Sequence, residues 1–76
     1  MKLRNHRRKN EFLVLIERDE DGFLVASVPA LKGCHTQAKT LPKLLERIKE
    51  SIQLCLEVQK EPIKPLKFVG IQEIGV

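Results

Sequence analysis

The chain has 76 residues, 42% of them hydrophobic and 32% charged, with a formal net charge of +4. That length allows one small domain, and the composition is that of a globular rather than a disordered chain. No apolar run nears the roughly 20 residues that span a bilayer, and the basic N-terminus has no apolar stretch behind it, so it does not read as a secretory signal.

The basic excess is local. Lys2, Arg4, Arg7, Arg8 and Lys9 fall within residues 1–10, which hold no acid, while the rest of the chain has nine basic and ten acidic side chains. Residues 1–10 therefore read as a basic arm and residues 11–76 as a near-neutral domain. An arm of this kind is usually solvated. If it touches phosphate, Arg4, Arg7, Arg8 and Lys9 are the candidate nucleic-acid contacts.

Taken in chain order, residues 11–18 are rich in branched and aromatic side chains and are expected to form a strand. Asp19-Glu20-Asp21-Gly22 is a turn in which Gly22 can take positive φ. Residues 23–28 form a second strand, paired with the first as an antiparallel hairpin and ended by Pro29, which lacks an N–H. Gly33 breaks the connection that follows, and residues 34–38 supply a short third strand. Thr40 is the expected N-cap of a helix with Pro42 in its first turn. Leu41, Leu44, Leu45, Ile48, Ile52, Cys55 and Leu56 fall on one stripe about 120° wide, with Leu54 roughly opposite. Pro62 and Pro65 stop the helix near residue 60, and residues 66–74 read as a last strand. The expected fold is α+β, a small antiparallel sheet packed on one helix in the order β-β-β-α-β.

Both faces of that sheet look apolar. Phe12, Val14 and Ile16 alternate with Leu13 and Leu15, and similar alternation on the later strands leaves neither face polar. One helix covers one face, so the other asks for a second chain. Leu13, Leu15, Leu24 and Leu54 are the candidate oligomer interface of a homo-dimer or tetramer.

Catalysis is hard to build. Glu17, Asp19, Glu20 and Asp21 cluster at the first turn, but metal-ion catalysis needs ligands from separate elements. Ser27 has no obvious His partner, being within a strand while His35 is in a later loop, and Ser51 faces the helix flank. No phosphate-binding glycine loop or metalloprotease signature occurs. Cys34 and Cys55 form no CxxC pair and read as packing residues in a reducing, cytoplasmic setting. No metal, cofactor or enzymatic activity is expected. Three Phe and no Tyr or Trp, all in strands, offer no base-stacking platform.

The string from Asp21 to Thr40 resembles the signature of the HicB family of antitoxins. Asp21, Gly22, Phe23, Pro29, Leu31, Gly33, Cys34, Thr36 and Thr40 carry the likeness, which covers about residues 11–60. The family's helix-start Glu and Ala are replaced by Lys43 and Leu44, which removes the reciprocal capping box. The resemblance implies a partial RNase H-like fold and a non-enzymatic role, neutralising a small basic HicA-type toxin that cleaves mRNA. Glu17, Asp19, Glu20 and Asp21 would be the edge that docks it. Ending at Val76, the sequence is expected to lack the C-terminal DNA-binding segment of two-domain members. The alternative function is nucleic-acid binding through the arm.

Overall fold

The computed structural model describes residues 11–60, 62, 63 and 66–76. Three strands, β1 (Leu15–Arg18), β2 (Leu24–Ser27) and β3 (His35–Ala38), precede one helix, α1 (Leu41–Val58). The sheet is antiparallel throughout, in the order β1-β2-β3. The α+β arrangement of a small antiparallel sheet on one helix is thus as expected.

The hairpin closes as the residues dictate. Asp19 N–H donates to Phe23 O at 2.8 Å and Gly22 N–H donates to Asp19 O at 3.1 Å, with Gly22 at φ 88°. This is a three-residue loop whose positive-φ position only glycine fills without strain. Asp19 braces it from the side chain: its carboxylate accepts from the backbone N–H of Asp21 at 3.0 Å and of Phe23 at 2.9 Å. The β2–β3 connection is tied by Val28 N–H to Cys34 O, Leu31 N–H to Val28 O, and Cys34 N–H to Leu31 O, with Gly33 at φ 77°.

Thr40 caps α1, its hydroxyl accepting from Lys43 N–H at 3.4 Å, with Pro42 in the first turn, where its missing N–H costs nothing. The helix leaves at Gln59, whose N–H donates to Leu56 O at 3.4 Å. Lys43 ion-pairs with Glu46 at 3.0 Å one turn along. Both side chains are largely exposed, and the pair adds little.

The core is made by Ala26, Val28, Leu31, Cys34, Ala38, Leu44 and Ile48, with Phe12, Val14, Leu24, Ile52, Cys55 and Ile63 packed against it. Register explains which strand residues join. Ile16, Ala26 and Thr36 lie in one row across the sheet, and Arg18, Leu24 and Ala38 in the next, all on the helix side.

Two expectations are corrected. The first strand is shorter than residues 11–18. The last strand, residues 66–74, is not formed: residues 66–76 have no strand structure and no hydrogen bond to any other described residue. A strand exists only by pairing, and no described backbone is hydrogen-bonded to this one.

Burial, with a smaller contribution from the neighbouring Cys55 thiol, pushes the Cys34 thiol up to about 11. A folded state that holds the thiol neutral gains its full contribution at low pH and loses it as pH climbs from 9.0 to about 11. Thermal melts of wild type and Cys34→Ala should therefore run parallel below pH 9 and converge above it. A constant gap across that window would show that the thiol ionises alike in the folded and unfolded chain, with no upward shift in the fold. Leu44→Ala should cost about 3 kcal/mol in urea unfolding, and Leu54→Ala under about 0.5 kcal/mol, because only the first leaves a cavity.

Candidate interaction surface

Backbone hydrogen bonding sets which groups the sheet offers outward. Asp19 and Phe23 form a hydrogen-bonded pair, so pairs 17/25 and 15/27 are bonded too, and the backbone groups of Val14, Ile16 and Arg18 face away from β2. They lie on the open edge of β1, and among the described residues no backbone pairs with them. On the far side, Val28 and Cys34 are bonded, which turns the backbone of Gln37 toward the open edge of β3. Arg47 of α1 fills that place, donating from Nη1 to Gln37 O at 2.9 Å.

This one bond orients the helix. Arg47 marks the side of α1 over the β3 edge, so the opposite flank, with Leu41, Leu45 and Leu56, turns toward β1. The helix packs on β3 and β2 and makes no contact with β1. Ile16 stays 43% exposed although its side chain is on the helix side, and Leu41 and Leu45 are also exposed. An open backbone edge and two apolar walls therefore come together at β1.

The face turned from the helix carries Leu13, Leu15 and Glu17 from the first strand and its lead-in, and Phe23 and Val25 from the second. The four apolar residues are half-buried. Lys39 Nζ stands 5.7 Å from the centre of the Phe23 ring, a cation–π contact that covers one end of the face.

The four residues expected to make one oligomer interface are separated by this geometry. Leu13 and Leu15 are on the outer sheet face, whereas Leu24 lies on the helix side and packs against the core. Leu54 is 63% exposed on the side of α1 away from the sheet. The two sheet faces are indeed both apolar, but parity along β2 puts Leu24 with Ala26, not with Leu15.

The acidic residues also divide. Glu17, Glu20 and Asp21 are exposed, while the Asp19 carboxylate is turned inward to the loop backbone. The Arg18 guanidinium donates to Gly22 O at 3.2 Å, which places a positive group within the same turn. Among the described residues no group of three or more His, Cys, Asp or Glu side chains could hold a metal ion. Cys34 is buried with a raised pKa, which opposes a role as nucleophile. Arg4, Arg7, Arg8 and Lys9 lie outside the described residues. Among the described residues no helix is long and apolar enough to cross a membrane.

Sequence reasoning missed the open edge of β1 and the exposed helix flank beside it. The signal was present in the wide helical stripe, which is broader than two strands can cover.

No family model matches the chain. Its sequence is similar to curated proteins over nearly their full lengths. A UPF0150 protein of Archaeoglobus fulgidus is 52% identical over 66 residues, 87% of this chain and 94% of the relative. A UPF0150 protein of Synechocystis is 48% identical over 68 residues, 90% and 97% of the two chains, and one of Thermoplasma acidophilum is 41% identical over 66 residues, 87% and 96%. At these identities and coverages, the chain belongs to the UPF0150 family.

Proposed function

We propose that this protein is a non-enzymatic, antitoxin-like binding module that neutralises a basic, mRNA-cleaving toxin of the HicA type by covering its RNA-binding surface. The observation that carries the reading is the braced β1–β2 hairpin. Asp19 spends its carboxylate on the loop backbone, and that leaves Glu20 and Asp21 on a fixed turn, and Glu17 on the strand leading into it, exposed beside an apolar sheet face. Fixed acids next to apolar area suit a basic partner, because charge steers the encounter and buried apolar surface holds the complex.

The resemblance to HicB antitoxins supports the same reading. Several of its signature residues have structural work in this fold: Gly22 and Gly33 take positive φ, Thr40 caps α1, and Leu31 and Cys34 are in the core. The likeness thus rests on residues that build the scaffold, and the partner would be read by the exposed residues on it.

The test is binding to a small basic toxin encoded beside this gene. The triple change Glu17→Lys, Glu20→Lys and Asp21→Lys should lower the association rate at least about tenfold at low salt and flatten its salt dependence. Asp19 is left intact so that the hairpin keeps its shape. Association unchanged in rate and salt dependence would remove the hairpin from the interface; absence of any binding by the wild type would remove the antitoxin reading.

A further inference from the structure

We propose that residues 66–74 of one copy add as a strand to the open edge of β1 in a second copy, and reciprocally, to make a two-fold dimer. This inference stands apart from the toxin reading and needs no toxin for its test.

The segment has the chemistry of a strand and is hydrogen-bonded to no other described residue. Leu66, Phe68 and Ile74 alternate with Val69 and Ile71, giving two apolar faces over nine residues, or about 30 Å of extended chain. Val69 is 93% exposed, Ile71 75% and Ile74 79%. Every residue of the segment carries a backbone N–H and C=O, and none of these is bonded within the described chain. Uncovered apolar side chains on an unpaired strand are unfavourable in water twice over.

The same chain holds the complement. The β1 edge offers the backbone of Val14, Ile16 and Arg18, and it is walled on the helix side by Ile16, Leu41 and Leu45 and on the outer side by Leu13 and Leu15. A strand laid at that edge sends alternate side chains to both walls. That is what a segment with two apolar faces requires, and a segment with one would be left half wet.

Pairing within the chain is disfavoured by the tether. Ile63 is packed against the core, which leaves two residues, one of them a proline, between that anchor and Leu66. So short a connection favours exchange between copies over doubling back. Because donor and acceptor are on one chain, two copies satisfy each other completely and the assembly closes.

The experiment combines sedimentation of the full chain with amide hydrogen exchange. Wild type should sediment as a dimer at micromolar concentration, with the amides of residues 68–73 protected, and lose that protection on dilution to monomer. Ile71→Pro removes one ladder N–H from a segment that the folded monomer does not use, so it should stay folded by circular dichroism and weaken the dimer at least about tenfold. Four results would overturn the proposal. They are a wild-type monomer at all concentrations, protection of residues 68–73 that persists in a monomer, protection that arises only on adding a basic toxin, or a dimer unchanged by Ile71→Pro.

Discussion

Ala26 and Ala38 sit on neighbouring strands beneath α1 and are almost wholly buried, as are Leu44 and Ile48 in the same cluster. Two methyl side chains at these places let the helix come close to β2 and β3, and Arg47 then hooks it over the outer edge of β3. A helix held there cannot also lie over β1. The exposed Ile16, the open edge of β1 and the uncovered flank of α1 all follow from that single placement. So does the difference between a β3 side, where Arg47 occupies the Gln37 carbonyl, and an open β1 side.

The hairpin shows how one acidic cluster holds two kinds of residue. Asp19 accepts two backbone N–H groups and so belongs to the fold, while Glu17, Glu20 and Asp21 are left for solvent or a partner. Charge steering works best from groups whose positions do not change on binding. The Asp19 bonds supply that rigidity without using any of the outward charge.

Much of the architecture was legible because it is local. Gly22 in a turn of acids, Pro29 after a strand, Thr40 before a helical stripe and the antiparallel hairpin all follow from residue chemistry within a few positions. The last strand was not legible in the same way. Residues 66–74 do have strand composition, but composition says nothing about which backbone will pair with them, and pairing is what makes a strand. The candidate interface residues fall on different faces for a related reason. Hydrophobicity marked Leu13, Leu15, Leu24 and Leu54 equally, whereas the side each one faces depends on register and on the roll of the helix. Leu24 is on the covered face because it stands opposite Arg18 and Ala38. Leu54 was correctly read as lying off the stripe, and that same fact parts it from the sheet residues with which it was grouped.

Sheet order here follows chain order, with β1 next to β2, β2 next to β3, and α1 starting two residues after β3 ends. Strand pairing is therefore made between consecutive elements, α1 reaches back past β3 only as far as β2, and no long loop must close before the first favourable pairing forms. Such a chain collapses by itself quickly, in a step whose rate does not depend on how many copies surround it. Whatever then settles on the β1 side joins a finished scaffold in a bimolecular step. In the cell, abundance would set the pace of that second event and leave the first untouched.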